Sequence, residues 1–197
     1  MFPLAFLATA FTLHSPQLEI FPETISPSKK FAVIHTVGKN KEDINSLINL
    51  NSYKPIAVLK GFSGFVDENH GGMFATYSKK EDYAVVLHAG KWHPQHMAVV
   101  ETKNGRQVDV LQFVRNNVVN YLNNHGNKAV SKLYTTDVTD IKFTNNRATF
   151  YMISEVPKQE NDIYYYSLSV DVTNLKLTRP LLVKLTEKEY EKQRQSK

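Results

Sequence analysis

The sequence contains no cysteine, which excludes thiol catalysis, disulfide bonds and every cysteine-ligated zinc site. It also lacks an apolar run of the roughly 20 residues that a helix needs to span a bilayer. Apolar residues are nevertheless abundant, since they make up 42% of the 197 residues and exclude a largely disordered chain. A chain of this length can therefore bury a core without disulfides or metals.

Charge of one sign is not concentrated in any region of the chain. The 24 Lys+Arg exceed the 19 Asp+Glu by 24 − 19 = 5, but acidic residues accompany basic ones, as in Lys80-Glu81-Asp82. A nucleic-acid-binding protein usually concentrates basic charge on one face or helix, so we expect no nucleic-acid partner. The sequence contains no glycine-rich phosphate loop, and Gly61-Phe62-Ser63-Gly64 is one residue short of a nucleophile elbow.

The amino-terminal stretch Met1 to Leu13 is apolar and includes an Ala8-Thr9-Ala10 site of the A-x-A type. These are two of the three parts of a secretory signal, and the basic n-region is missing. Residues 1–23 are thus predicted to contain either an export signal or a first buried strand. The first alternative predicts a periplasmic or secreted bacterial protein, and the second a cytoplasmic one.

An ungapped internal repeat relates two parts of the chain at an offset of 52 residues. Phe31-Ala32-Val33-Ile34 aligns with Tyr83-Ala84-Val85-Val86, and neighbouring apolar positions agree as well. Each copy, residues 24–60 and residues 76–111, predicts three antiparallel strands. The first strand of each copy is apolar on both faces, which is typical of a central strand covered on both sides.

Asn104-Gly105 predicts a hairpin between the last two strands of the second copy. The Asn-Gly pair is the strongest short-range hairpin signal, because a two-residue turn of this kind needs positive φ at both positions. Ser52-Tyr53, at the matching place in the first copy, has poorer turn chemistry. The two copies are therefore expected to share strands but to differ in their turns.

The start of each copy resembles the repeat of TolB-like β-propellers, in which a Ser-Pro-Asp-Gly-Lys turn precedes an apolar strand. The similar segments are Ser26-Pro27-Ser28-Lys29-Lys30-Phe31 and Ser78-Lys79-Lys80-Glu81-Asp82-Tyr83, and both lack the Asp-Gly pair. The resemblance implies a binding scaffold and transfers no catalytic residue. A full propeller needs about four blades of about 40–50 residues, so we expect an incomplete one.

The remainder of the chain predicts one helix and a third meander. Residues 112–124 carry an apolar stripe at helical spacing, and residues 143–185 contain three strands of alternating polarity. The charged tail, residues 186–197, is predicted to be a short helix or a frayed end. We thus predict a single, mainly β domain over residues 24–185, built from repeated three-stranded antiparallel meanders in a propeller-like or sandwich-like arrangement.

Histidines define the candidate site, because four of the seven lie between residues 70 and 96. The loop of residues 90–96 contains a tryptophan and two histidines, whereas the matching loop of the first copy, residues 38–43, contains neither. Because the two loops differ in this way on a shared scaffold, the second loop is predicted to have a function that the first lacks. The candidate ligand-binding residues are Asp67, Glu68, His70, His88, Lys91, Trp92, His93 and His96.

We predict a noncatalytic binding or structural domain whose ligand is an unidentified protein or small molecule. The alternative is a metal-assisted hydrolase, in which His93 and His96 with His70 or Asp67 would hold a metal such as zinc. Glu68 and His70 are the candidates for acid–base chemistry. We expect no cofactor and no bound metal in the first case, and a homo-oligomeric scaffold is a third possibility.

Overall fold

The computed structural model describes residues 18–64, 71–91, 93–125, 135–155 and 163–195. These residues form three four-stranded antiparallel sheets and two helices, which confirms the predicted mainly β class. Within each sheet the strands neighbour one another in chain order, as a meander requires. The arrangement is consistent with an incomplete propeller or a sandwich.

The first sheet consists of β1 (Glu19–Ile20), β2 (Phe31–Val37), β3 (Asp43–Asn49) and β4 (Lys54–Val58). The second consists of β5 (Gly72–Tyr77), β6 (Tyr83–Ala89), β7 (Pro94–Glu101) and β8 (Gln107–Asp109). The third consists of β9 (Thr135–Thr144), β10 (Arg147–Glu155), β11 (Ile163–Asp171) and β12 (Thr178–Leu185). Each meander thus contains three predicted strands and an additional first strand that the sequence pattern did not reveal.

The second sheet is the middle layer of the molecule. On β6, Val85 and Leu87 belong to a core shared with the third sheet, whereas Ala84 and Val86 belong to a core shared with the first sheet. Every residue from Tyr83 to His88 is buried. This confirms the expectation that the first apolar strand of the second copy is covered on both faces.

The turn before β2 and the turn before β6 have the same backbone conformation. Ser26 N–H donates to the Phe31 carbonyl at 2.8 Å, and Ser78 N–H donates to the Tyr83 carbonyl at 2.9 Å. Lys29 and Glu81 both have φ of +58°. These two residues stand where the similar TolB-like turn has glycine, so both copies keep its left-handed backbone conformation without the glycine that favours it.

The predicted hairpin at Asn104-Gly105 is present, but the expectation of positive φ at both positions was wrong. Glu101 N–H donates to the Arg106 carbonyl at 2.8 Å, which closes a loop of four residues rather than two. In this longer loop only Gly105 has positive φ, at +72°. A Cβ atom on Gly105 would lie 1.9 Å from the Ile56 carbonyl oxygen, so the glycine also permits close contact with the first sheet.

Helix α1 (Leu111–Asn124) connects the second and third sheets, close to the predicted position. Its first turn is fixed by Asp109, whose Oδ1 accepts the Leu111 N–H at 2.9 Å. Helix α2 (Glu187–Gln195) follows β12 and buries Tyr190 against the third sheet. Neither helix has the length and apolar character that crossing a membrane would require.

Candidate functional site

The structure describes half of the predicted ligand-binding residues. His88, Lys91, His93 and His96 are described, and Asp67, Glu68, His70 and Trp92 lie outside the described residues. Lys91 is exposed in the connection between β6 and β7.

His88 and His96 form a cross-strand pair on β6 and β7, with ring centroids 6.3 Å apart and an interplanar angle of 13°. His88 is fully buried, and His96 also packs on the Phe62 ring at 5.6 Å. Burial lowers the pKa of His96, the neighbouring His88 lowers it further, and Asp109 acts in the opposite direction. The structure therefore favours a neutral His96 between the first and second sheets.

His93 lies on the other side of the second sheet. Its Nδ1 is 2.9 Å from Asp137 Oδ1 on β9 of the third sheet, and both side chains are partly exposed. His93 and His96 therefore contact different sheets, because side chains in extended backbone alternate between faces and residues three apart diverge. Within the described ranges, no group of three His, Asp or Glu side chains is placed to hold a metal ion.

Two further polar residues of the first sheet, which no sequence pattern indicates, are buried with hydrogen-bond or ion-pair partners. Asn45 is buried, and its Nδ2 donates to the carbonyl oxygens of Phe62 at 3.1 Å and Gly64 at 2.8 Å. His35 Nε2 lies 2.9 Å from Asp43 Oδ1, and its Nδ1 lies 3.5 Å from a Glu19 carboxylate oxygen. These contacts fix β1 and the segment after β4 to the first sheet, so both residues have a structural role.

A cavity of about 310 Å³ lies between β5 and β9, and we call it the inner cleft. It is lined by three consecutive residues of β5, 74–76, and four of β9, 138–141, together with Leu87, Ala89 and Glu23. Side chains alternate along a strand, so consecutive lining residues show that the cleft borders the strand edges. Both strands are edge strands of their sheets. The sequence pattern does not reveal the cleft, because it predicts neither strand.

A second cavity, of about 610 Å³, lies between the turn before β6 and the turn before β10, and we call it the turn-end cavity. Its lining includes Lys79, Lys80, Arg147, Asp82 and Asp171, so its charge is mixed. Arg147 Nη2 donates to the carbonyl oxygens of two residues, Ser169 at 3.1 Å and Arg179 at 2.8 Å. Hydrogen bonds from Thr173 are the main cause of the lowered pKa of Asp171.

No protein-family model, curated protein or solved structure matches this chain.

Proposed function

We propose that this protein is a noncatalytic binding domain that holds a small ligand in the inner cleft. The supporting observation is the composition of the cleft: apolar side chains from two sheets, among them Leu87, Val138 and Ile141, together with two threonines and two carboxylate residues. Small-molecule sites are typically concave, mainly apolar and located where structural units meet. Metal-assisted hydrolysis remains the alternative, and among the described residues no specific geometry favours it.

The proposal includes an architecture in which the three meanders are blade-like units of an open, propeller-like stack. The sheets pack face to face in chain order, and the first two have the same turn between their first and second strands. The first strands of the second and third sheets, β5 and β9, lie side by side. The inner cleft is thus formed by equivalent strands of neighbouring units.

The binding proposal is tested by filling the cleft. Thr76 lines it from β5, and Thr76→Trp would place a large ring there. Thr178→Trp is the matched control, since Thr178 is exposed on the edge strand β12. Small-molecule fragments are screened against wild type and both variants by ligand-observed NMR. We expect a set of fragments that bind wild type and Thr178→Trp but not Thr76→Trp; the absence of such a set contradicts the proposal.

Export is a separate proposal, supported by the apolar stretch and A-x-A site within residues 1–13. Cell fractionation of the full chain, expressed in a bacterium with a carboxy-terminal tag, tests it. We expect a processed form outside the cytoplasm, which a change of Ala8 and Ala10 to bulky residues would prevent. Unprocessed protein confined to the cytoplasm contradicts export.

A further inference from the structure

The geometry of the inner cleft points to one class of ligand: a small molecule with an apolar body and a charged amino group. This inference rests on the proposed binding function and specifies what is bound. It follows from the charge, the size and the walls of the cleft, each of which limits the ligand in a different way.

The ionisable side chains that line the cleft are both acidic. Glu23 and Asp140 line it, and among the residues that the structure describes no Lys or Arg does. Within the described part of the chain, neither carboxylate takes part in an ion pair. One oxygen of Asp140, Oδ1, accepts the N–H of Ile141 at 2.8 Å, which orients the carboxylate. The charge complement of this cleft is a cation.

The cleft also has room and walls for an apolar group. Its volume of about 310 Å³ is at the lower end of the range for ligand pockets, and equals roughly ten water molecules. Phe74 lines the cleft with its side chain 44% exposed, although the ring is large and apolar. A ring in this position can cover an apolar ligand and can also attract a cation to its face.

The strand edges supply further hydrogen-bond acceptors for an ammonium group. An ammonium has three N–H donors, so one that donates a single hydrogen bond to each carboxylate has a third hydrogen left to place. Edge strands present backbone carbonyl groups that are not paired within the sheet. Outside their ladders, the described residues 74–76 and 139–141 make no backbone–backbone hydrogen bond. A carbonyl of either edge can therefore accept the third hydrogen.

The turn-end cavity serves as an internal comparison. It is larger, at about 610 Å³, and Lys79, Lys80 and Arg147 line it beside its two carboxylates. Cations and anions of that cavity offset one another, so it has no comparable preference for an amine. Asp82 in the turn-end cavity is thus a suitable control position for Asp140 in the inner cleft.

The inference is tested by isothermal titration calorimetry of the full chain with three matched probes: 2-phenylethylamine, 2-phenylethanol and phenylacetate. We expect the amine to bind about tenfold more tightly than the alcohol, and phenylacetate most weakly. Glu23→Gln and Asp140→Asn should each weaken amine binding about fivefold and leave alcohol binding unchanged. Asp82→Asn should change none of the three affinities.

The outcomes separate the ligand class from the binding function. If the amine has no advantage over the alcohol, yet Thr76→Trp abolishes binding of both, the ligand class is wrong and the binding function stands. If Thr76→Trp does not abolish the binding of any probe, or if none binds, the inference is overturned. The fragment screen then tests the binding function independently of the ligand class. Glu23 is exposed, so Glu23→Gln tests the charge even where Asp140→Asn disturbs the fold.

Discussion

The two junctions between the sheets are filled differently. Where the first sheet meets the second, three alanines, Ala57, Ala84 and Ala98, are buried beside larger residues such as Phe62 and Tyr77. Where the second meets the third, large residues such as Phe150 and Tyr166 fill the core. Helix α1 adds its own buried residues, Leu111, Val114, Val118 and Leu122, to this second junction.

The first junction brings backbone and polar groups of the two sheets into direct contact. The Tyr77 hydroxyl donates to the Thr24 carbonyl at 2.8 Å, and Gln107 Nε2 donates to the Val58 carbonyl at 2.7 Å. Glu81, in the turn before β6, accepts the Ser28 N–H at 2.8 Å. Such contacts require sheets that approach closely.

The comparison explains where the protein has room for a ligand. Large side chains and residues of α1 fill the core of the second junction, whereas the inner cleft and the turn-end cavity are lined mainly by edge strands and turns around it. The first junction unites two sheets through close contacts, whereas the second combines a filled core with cavities beside it. Three substitutions test this contrast, in order of decreasing expected effect.

Gly105→Ala should have the largest effect, because it disturbs the closest approach of the first two sheets. The new Cβ would lie 1.9 Å from the Ile56 carbonyl oxygen, at a φ of +72°. We expect the free energy of unfolding, measured by urea denaturation, to fall by about 3 kcal/mol. Gly38→Ala is the control, since the atoms nearest to its Cβ would be those of the flexible Glu42 carboxylate. Equal losses in both variants would contradict a tight first junction.

Glu81→Gln should have an intermediate effect, because it weakens the link between the two repeat turns. The buried carboxylate accepts hydrogen bonds from the Ser28 N–H and from the hydroxyls of Ser26 and Ser28. Replacing it by an amide should lower the free energy of unfolding by about 1–2 kcal/mol. Glu101→Gln, which affects a surface pair with Arg106, should cost about 0.5 kcal/mol or less. A larger loss of stability in Glu101→Gln than in Glu81→Gln would show that the link between the turns is unimportant.

His96→Gln should have the smallest effect, and one that depends on pH. Burial and His88 lower the pKa of His96, so the unfolded chain binds the proton more readily than the folded one. Wild type should therefore lose stability relative to His96→Gln as pH falls through about 6.5, the ordinary pKa of histidine. Denaturation at pH 7.5 and pH 5 measures this difference. His93→Gln, at the second junction, should still lose stability at low pH as wild type does. If His93→Gln and His96→Gln show the same dependence of stability on pH, the acid sensitivity does not come from His96.

Much of the fold could be predicted because its signals are local. The apolar run from Tyr83 to Leu87 indicates a central strand wherever it packs, and the spacing around Val114 and Val118 indicates a helix. The first strand of each meander could not be predicted in this way. β1 has only two residues, β5 begins at a glycine, and a bulge near Thr139 interrupts the alternation of β9.

The candidate site was less predictable, because nearness in sequence is a poor guide to nearness across a sheet. His93 and His96 are three residues apart, yet one contacts the third sheet and the other packs beside the first. Glu23 and Asp140 are far apart in the chain and line the same cleft. No local pattern connects such a pair.

By itself, the sequence determined the central strands of the meanders, the turn conformation shared by the first two and the connecting helix, since each depends on the chemistry of neighbouring residues. The tertiary structure alone decided which strand edges face one another and where space remains. These depend on side chains that come from distant parts of the chain. At one junction, Gly105 and the side chains of Tyr77 and Gln107 bring two sheets into direct contact. At the other, Phe150, Tyr166 and α1 fill the core between the sheets and leave a cleft beside it.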